Sequence, residues 1–453
     1  MSGFSEFVDA LSFDDLPLEL LVVLRRSFLD TMGVAAIGST TLMAKTARRV
    51  SPLLYGAGDR FPSRVLMDGG LVSPTGAAMA GAMTLDSVDA HDGTTPNKGH
   101  AGSAVFPALF AVIDALHRNG RQMSGEEFAV VLAIAYEVSY RAGQVQHATC
   151  SDYHTSGAWT AVGVAVACAK LLGCNPQQIA HAAGIGEYHG PRSQMMRCID
   201  HPTMLRDGVG WGAPCGVSAA YLAQQDFTGA PALTCDSEAA KPYWSGLGSE
   251  WLTVDHTHYK LYPCCRWAHP SIDAVHNLMR DNSLTHQQIE CVEIKTFHYA
   301  TRLAGHEPAN WDEFAYGIAF PVAIMIVRGK IGAEELQDPI LQDPDILRIS
   351  RATRLIDDPE LTAKSIKKRW AQVTLITSDG RRLEDQPRSP RGDAEVPLSD
   401  EEISKKFYNF ARPVLGVERS RSLHDLASTF DQLGTVEFAE LLDHCLEGSG
   451  KNF

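Results

Sequence analysis

Apolar residues recur at three- and four-residue spacing along roughly the first 265 residues, and this spacing is typical of amphipathic helices. Residues 18–39 follow the pattern and predict a long helix that ends near Gly38. Ser124 followed by Glu127 predicts a capping box at the start of another helix. Alanine and glycine are frequent along these segments, which allows helices to approach one another closely. The pattern therefore predicts a compact helical domain.

Further along, the spacing of apolar positions changes. Residues 289–297 alternate between apolar and polar positions as a half-buried strand does, and residues 370–386 predict a hairpin that turns at Asp379 and Gly380. This stretch is typical of a small α+β domain. Between the strands the spacing predicts two helices, an apolar one at 316–329 and a more polar one at 343–356.

Helical spacing returns beyond about residue 400, so we infer that the C-terminal segment rejoins the first domain and that the α+β segment is an insertion. A chain of 453 residues also exceeds what one hydrophobic core usually serves. The predicted fold class is mainly α, with a large helical domain formed by both chain ends and a smaller inserted α+β domain. The predicted boundaries are 1–268, 269–400 and 401–453.

Charge and composition narrow the range of partners. The formal net charge of -14 argues against nucleic-acid and anionic-membrane partners, because both require a basic surface. No apolar run reaches the roughly 18 residues of a membrane span, and the N-terminal stretch is acidic where a signal peptide is basic. We therefore expect a cytoplasmic protein. Its 10 cysteines are too sparse for a disulfide scaffold, so reduced thiols are expected.

Motifs for metals, nucleotides and activated serines are missing from the sequence. It contains no G-x-S-x-G, H-E-x-x-H, Walker A or paired C-x-x-C motif. The glycine-rich stretch at 207–216 lacks a preceding strand and is interpreted as tight helix packing. His256 and His258 could face one way in an extended segment, yet no third metal ligand is evident. We predict neither a metal site nor a cofactor.

Four polar clusters interrupt the apolar helices, and the first of them combines Asp89, His91, Asp92 and His100 just before a helix. A single histidine is more often a hydrogen-bonded structural residue than a catalytic one, but four clusters in one chain favour a site. Histidine, lysine, arginine and carboxylate groups without a metal or nucleotide motif suit proton abstraction next to a carboxylate. Neighbouring cations must then stabilise the charge that develops on that carboxylate.

The polar segments also resemble a known family. The stretches LDSVDAHDG, GHAGSAVFPAL, LRDGVGWGAPCGVSAAYLAQ and YKLYPCCRWAHPSIDAV are similar to matching segments of the MmgE/PrpD family, in the same order along the chain. That family includes 2-methylcitrate dehydratase, cis-aconitate decarboxylase and iminodisuccinate epimerase. The resemblance implies that the inserted domain is a lid with the active site beneath it, that the protein is a homodimer, and that no cofactor is required.

The resemblance also implies site residues. The family's positions match Asp89, His100, His154 and Lys260, and a family lysine is replaced here by Arg206. Arginine keeps the charge and gains a bidentate fork, but it cannot release a proton near neutral pH. Two further departures are Cys265, where the decarboxylase pattern has histidine, and Phe320, where that pattern has tyrosine. These departures make cis-aconitate decarboxylation a weaker expectation than the family name alone suggests.

Roles follow from these matches. His100 is predicted to be the general base, with Asp89 orienting it or another cation, and His154 the partner acid or a hydrogen-bond donor. Lys260 and Arg206 are expected to hold substrate carboxylates.

Other residues have two interpretations each. Arg192 is a further carboxylate ligand or a solvated side chain. His91 and Asp92 either support the site or solvate the loop. Cys265 is placed with the substrate-binding residues, as a second proton donor or as a small buried residue.

The sequence thus predicts a cofactor-independent lyase that acts on a small di- or tricarboxylate by proton abstraction α to a carboxylate. A dehydratase of the 2-methylcitrate type is the first choice. An epimerase of an iminodisuccinate-like dicarboxylate and a cis-aconitate decarboxylase are the alternatives within the family. A non-catalytic carboxylate-binding protein is the alternative from another class, although such a protein has little need for a base and a partner acid.

Overall fold

A computed structural model describes residues 3–58, 61–366 and 368–448. Helices dominate the first 268 residues, as the apolar spacing predicts. The α-helices of this part are α1 (Phe4–Ala10), α2 (Leu18–Gly38), α3 (Leu42–Leu54), α4 (Pro74–Asp86), α5 (Gly102–Arg118), α6 (Gly125–Thr149), α7 (Gly157–Leu171), α8 (Pro176–His189), α9 (Met195–Asp200), α10 (Val209–Gln224), α11 (Leu233–Asp236), α12 (Lys241–Trp244) and α13 (Leu252–His256).

Sequence signals set several of these boundaries. The side chain of Ser124 accepts a hydrogen bond from the N–H of Glu127, whose carboxylate accepts one from Ser124 N–H, so the predicted capping box at the start of α6 is confirmed.

The glycine-rich stretch at 207–216 packs α10 tightly against α7. A Cβ added at Gly212 would lie only 2.4 Å from the carbonyl oxygen of Gly157, so the two backbones can meet only without side chains.

Four short strands belong to the helical part and form two small pairs. They are β1 (Ser63–Arg64), β2 (Leu71–Val72), β3 (Gly93–Thr94) and β4 (Thr257–His258), with β1 antiparallel to β2 and β3 antiparallel to β4. The second pair matters most for the site, because it ties the loop between α4 and α5 to the chain just before Lys260.

The second part of the chain contains a four-stranded sheet in the order β6-β5-β7-β8, in which only the β5–β6 pair is parallel. The strand predicted at 289–297 and the hairpin predicted to turn at Asp379 and Gly380 are both confirmed. The elements are β5 (Ile289–Thr296), β6 (Thr353–Asp357), β7 (Ala371–Thr377) and β8 (Arg382–Glu384), with helices α14 (His269–Asp281), α15 (Trp311–Ala315), α16 (Ala319–Arg328), α17 (Pro344–Arg351) and α18 (Pro359–Lys364).

One element was predicted wrongly. The spacing at 343–356 indicates a single polar helix, but α17 ends at Arg351 and residues 353–357 form strand β6. Pairing with β5 outweighs the local helical pattern here, because Val292 to Thr296 offer a ladder to Thr353 to Asp357. Such long-range pairing leaves little trace in the spacing of apolar residues.

Helices return at the C-terminus and pack onto the first part. They are α19 (Asp400–Leu415), α20 (Val417–Ser428) and α21 (Thr435–Leu446). The ring of Phe430, after α20, lies 5.4 Å from that of Phe28 in α2, inside the same apolar cluster. In α19, the buried Lys406 donates hydrogen bonds to Asp30 Oδ1 in α2, at 2.6 Å, and to the carbonyl oxygen of Ala90, at 2.5 Å.

Buried apolar residues fall into two clusters. The first combines side chains of α1–α8, α10–α13 and α19–α21, and the second combines α9, α14, α16 and the four-stranded sheet. The predicted mainly helical class is confirmed. The division at 268 and 400 and the lid role of the inserted part stay predictions. In the residues that the structure describes, no helix is long and apolar enough to cross a membrane.

The ion pair of Lys406 with Asp30 generates a first prediction. In Lys406→Met, Asp30 stays buried without its counter-charge, and breaking a buried pair from one side costs about 3–5 kcal/mol. We expect a loss of that size in the free energy of unfolding, measured with urea. Lys405→Met, next to it but exposed, should lie within about 0.5 kcal/mol of wild type. Equal stability of the two variants would contradict the role given to the pair.

Candidate active site

A cavity forms where the loop between α4 and α5 meets residues of the second apolar cluster. Its lining is polar and charged on one part and aromatic on another, which suits a small anionic molecule. The lining residues are Asp89, Thr94, Thr95, Lys98, Gly99, His100, Tyr153, Met195, Ile199, Asp207, His258, Lys260, Cys265, Arg266, Trp267, Tyr316, Arg369 and Asp393. Four residues predicted from sequence, Asp89, His100, Lys260 and Cys265, are among them.

Strand β3 fixes the loop against strand β4, since Gly93 pairs with His258. Glycine is required at this position by close approach. A Cβ there would lie 2.6 Å from His258 Nε2 and 2.8 Å from His100 Nδ1, so any side chain would displace one of the two rings. The loop thus brings two histidines from distant parts of the chain to one wall of the cavity.

His91 and Asp92 are fully buried, so the alternative in which they solvate the loop is wrong. Asp92 accepts hydrogen bonds from Tyr136 Oη at 2.6 Å and from the N–H of Gly102 at 3.1 Å. Burial raises the pKa of Asp92 to about 6. His91 Nε2 lies 3.3 Å from Asp86 Oδ1. Both residues therefore hold the loop from beneath.

The imidazole of His100 is arranged as a base. Its Nδ1 donates to the carbonyl oxygen of Asp92 at 2.6 Å, and this fixes the proton on Nδ1 and leaves the lone pair on Nε2. Burial, followed by the positive charges of Lys260 and His91, holds the pKa of His100 well below its usual value. The ring is therefore neutral near pH 7, with Nε2 free to accept a proton.

Asp207 is the partner that the sequence analysis missed. Its Oδ2 lies 3.5 Å from His100 Nε2 and accepts a hydrogen bond from Ser156 Oγ at 2.8 Å. Burial and the nearby carboxylates of Asp86 and Asp89 raise the pKa of Asp207 to about 7. A carboxyl with that pKa can donate a proton near neutral pH. Asp207 adjoins Arg206 in the family-like segment, but nothing in the sequence shows that it faces His100.

Lys260 is buried and pairs with Asp89. Its Nζ donates to Asp89 Oδ1 and, at 3.0 Å, to the carbonyl oxygen of the same residue. Asp89 adopts a left-handed backbone conformation with φ of 49°, which a non-glycine residue maintains only where surrounding contacts enforce it. The double contact with Lys260 supplies that enforcement, so the pair fixes the start of the loop.

The thiol of Cys265 lines the cavity but is poorly suited to proton transfer. Burial raises its pKa to about 12, with Asp89 acting in the same direction and Lys260 against it. The Lys260 ammonium by itself would lower the pKa of this thiol, but burial outweighs it. Its backbone N–H donates to the carbonyl oxygen of Ala315 at 2.7 Å, which fixes the segment. Cys265 fits the reading of a small buried residue.

Three other predicted residues, His154, Arg192 and Arg206, are not among those that line the cavity. His154 is half-buried beside Gln194, and its Nδ1 has no partner among the described residues. Arg192 is exposed, and among the described residues its hydrogen bonding is limited to a weak contact of Nη1 with Cys150 Sγ at 3.9 Å. The roles given to these two residues stay predictions.

Arg206 is buried next to the cavity, with φ of 49°. Its Nη2 donates to Asp312 Oδ1 at 2.7 Å and to the carbonyl oxygen of Ser87 at 2.9 Å. Its Nε and Nη1 are buried without a hydrogen-bond partner in the described part of the chain. The predicted role of Arg206 in holding a substrate carboxylate stays a prediction. Nε and Nη1 are the atoms that would make this contact.

Two tyrosines line the cavity, Tyr153 and Tyr316, and Tyr316 lies four residues before Phe320. Phe320 is fully buried in the second cluster and is not a lining residue. The guanidinium of Arg206 lies 5.5 Å from the centre of the Tyr316 ring, a cation–π contact. Further lining residues that sequence reasoning missed are Lys98, His258, Arg266, Arg369 and Asp393.

One group of side chains could hold a metal ion by distance alone. Ligand atoms of Asp89, His91 and His100 lie within 4.8 Å of one another. However, Asp89 already accepts from the Lys260 ammonium, whose charge would repel a divalent cation, and His100 Nδ1 is engaged with a carbonyl. The charge arrangement therefore favours an acid–base site over a metal site.

The fold and the cavity define a mainly helical protein whose cavity is lined by titratable side chains. Comparison with protein families agrees with this class. The family model for the MmgE/PrpD N-terminal domain matches residues 2–241, and that for the MmgE/PrpD C-terminal domain matches residues 262–432. The chain belongs to the MmgE/PrpD family.

Curated relatives align along nearly the whole chain. A cis-aconitate decarboxylase of Aspergillus terreus is 22% identical over 472 residues, covering 98% of this chain and 95% of the relative. A cis-aconitate decarboxylase of Homo sapiens is 22% identical over 464 residues, covering 95% and 92%. A cis-aconitate decarboxylase-like protein of Aspergillus oryzae is 21% identical, covering 96% and 95%.

The raised pKa of Cys265 generates a second prediction. At pH 8 the buried thiol is almost entirely protonated, so iodoacetamide should modify it far more slowly than an exposed cysteine placed at position 381 as Arg381→Cys. Cys265→Ser should keep turnover within about threefold of wild type, because neither proton transfer proposed below uses the thiol. Rapid labelling of Cys265 together with loss of turnover in the serine variant would show that the thiol takes part.

Proposed function

We propose that the protein is a lyase that removes a proton from the carbon α to a carboxylate of a small di- or tricarboxylate, most simply as a dehydratase of the 2-methylcitrate type. The observation that carries this proposal is the pair of His100 and Asp207. A neutral imidazole lies 3.5 Å from a carboxyl whose pKa is about 7. Near neutral pH, one group can accept a proton while the other donates one.

In the proposed reaction, His100 Nε2 takes the α-proton. The C–H electron pair forms the new double bond, and the β-hydroxyl leaves as water with the proton of Asp207. The negative charge that develops on the α-carboxylate is stabilised by the ammonium of Lys260, which is held in place by Asp89. Afterwards the imidazolium of His100 can return its proton to the carboxylate of Asp207 across the same 3.5 Å, which restores both groups.

Decarboxylation is the second candidate. The relatives that align along the whole chain are named cis-aconitate decarboxylases, and the same pair could deliver a proton to the carbon that loses carbon dioxide. The high pKa of Cys265 disfavours the epimerase that would use this thiol as its second base. A binding protein would not need a neutral base facing a protonated acid. We propose that catalysis needs neither a metal nor a cofactor.

His100→Ala tests the base. We expect turnover to fall by about a hundredfold or more, because the α-proton then has no acceptor. The matched control is His298→Ala, whose imidazole is exposed and is not among the groups that line the cavity. The measurement is proton NMR in heavy water with a panel of di- and tricarboxylates, which distinguishes α-proton exchange, loss of water and loss of carbon dioxide.

The NMR experiment also has outcomes that would contradict the proposal. It is run with EDTA, and abolition of activity by the chelator with recovery on adding one metal would overturn the metal-free mechanism. A His100→Ala variant as active as the His298→Ala control would exclude His100 as the base. Loss of carbon dioxide without any loss of water would select the decarboxylase.

Asp207→Asn tests the acid through the pH profile. Asp207 donates only when protonated, so wild-type kcat/KM should fall as pH rises through about 7. At low pH the activity should fall as His100 gains a proton, at a pH well below the usual imidazole range. Asparagine cannot ionise, so the variant should be slower by about a hundredfold and should lose the alkaline decline. An unchanged alkaline decline in Asp207→Asn would assign that pKa to another group.

A further inference from the structure

The cavity contains more positive charge than its carboxylates neutralise. Of its cationic residues, Lys260 pairs with Asp89, and Arg266 pairs with Asp393 at 2.5 Å. Within the part of the chain that the structure describes, Lys98 and Arg369 form no ion pair with a carboxylate, although both line the cavity. An unpaired charge in a partly desolvated cavity is costly, so these two side chains are suited to an anion from outside.

Arg369 is held in a defined orientation. Its guanidinium lies 5.9 Å from the centre of the Trp267 ring and 5.7 Å from that of Phe297. Its Nη1 donates to the carbonyl oxygens of Ser365 and Lys368, at 3.1 and 3.2 Å. Among the described residues, Nε and Nη2 have no acceptor. The aromatic rings and carbonyls thus orient a fork that still has two N–H groups to offer to a carboxylate.

Lys98 is fixed by its backbone. It adopts a left-handed conformation with φ of 52°, and its carbonyl oxygen accepts a hydrogen bond from Tyr153 Oη. Its Nζ lies 5.4 Å from the centre of the Tyr153 ring. Lys98 is an exposed residue of the cavity lining, and its pKa is lowered by partial burial and then by the charge of Arg369, which lines the same cavity. An anion between the two cations would reduce their mutual repulsion.

His258 provides an independent indication of a ligand. It is 5% exposed, and its Nε2 is buried and has no hydrogen-bond partner among the described residues. Its Nδ1 faces Thr95 Oγ1 at 3.2 Å and Asp393 Oδ1 at 3.7 Å. A buried polar atom that lines a cavity without a partner is rare in a folded protein and indicates a missing ligand or water.

We propose that Lys98 and Arg369 form a carboxylate-binding subsite within this cavity, next to the His100–Asp207 pair, and that they select substrates with a second carboxylate away from the reacting carbon. The inference rests on the proposed function for the reaction, but it concerns binding. It makes the substrate at least a dicarboxylate, because Lys260 and the acid–base pair occupy the first carboxylate and the reacting carbon.

The test measures binding without turnover. Isothermal titration calorimetry with propane-1,2,3-tricarboxylate as the probe should show affinity reduced about tenfold or more in Arg369→Met and in Lys98→Met. Arg369→Lys, which keeps the charge and loses the fork, should fall between them and wild type. Isobutyrate, which has a single carboxylate, should bind the variants as it binds wild type. Arg381→Met, an exposed arginine in the hairpin turn, is the matched control.

Each outcome of this experiment decides one question. Equal affinity of wild type, Arg369→Met and Lys98→Met for the tricarboxylate would overturn the subsite. Inorganic phosphate that competes with the tricarboxylate at equal concentration would show a general anion site and overturn the selectivity for carboxylates. Tight, Arg369-dependent binding by a protein that catalyses no exchange or elimination would keep the subsite and overturn the proposed lyase. Circular dichroism of every variant confirms that it is folded.

Discussion

Buried carboxylates are the constraint on which the site depends. Five of the almost completely buried aspartates in the described residues lie around the loop between α4 and α5, and such groups persist in an apolar interior only when they are paired, hydrogen-bonded or protonated. Asp30 pairs with Lys406, and Asp89 pairs with Lys260. Asp92 accepts hydrogen bonds from Tyr136 and Gly102, and Asp86 accepts one from the N–H of Asp207. Asp207 itself has a raised pKa.

These partners come from distant parts of the chain, so the site requires most of the fold. Lys406 lies 376 residues after Asp30 and also donates to the carbonyl oxygen of Ala90, within the loop between α4 and α5. Lys260 reaches Asp89 across 171 residues. The packing of the C-terminal helices on α2 is thus coupled to the position of the loop. Removal of Lys406 would leave Asp30 buried without its partner, and removal of Lys260 would do the same to Asp89, which lies close to His100, the proposed base.

Sequence reasoning reached the parts of this structure that have a local signature. Capping boxes, the hairpin turn and the apolar helices are determined by neighbouring residues, and the motifs around Asp89, His100 and Lys260 are contiguous. Strand β6 was missed because it exists through pairing with β5. Asp207, Lys98 and Arg369 were missed for a related reason: each is a common polar residue, and its chemistry depends on which side chains the fold places around it. The family match pointed to Arg206, whereas the structure places the next residue, Asp207, beside His100.

Burial explains how the proposed acid and the proposed base would work together. The same low-polarity surroundings disfavour the imidazolium of His100 and the carboxylate of Asp207, so the resting pair is neutral. When the base has taken a proton and the acid has given one, the pair becomes an ion pair at 3.5 Å, and its charges stabilise each other. The reaction therefore creates opposite charges at a place already arranged to hold them, and little reorganisation is needed. The proposed anionic substrate would offset the positive charge of the extra cations beside this pair, and its own negative charge would disfavour ionisation of the acid that the proposed reaction needs.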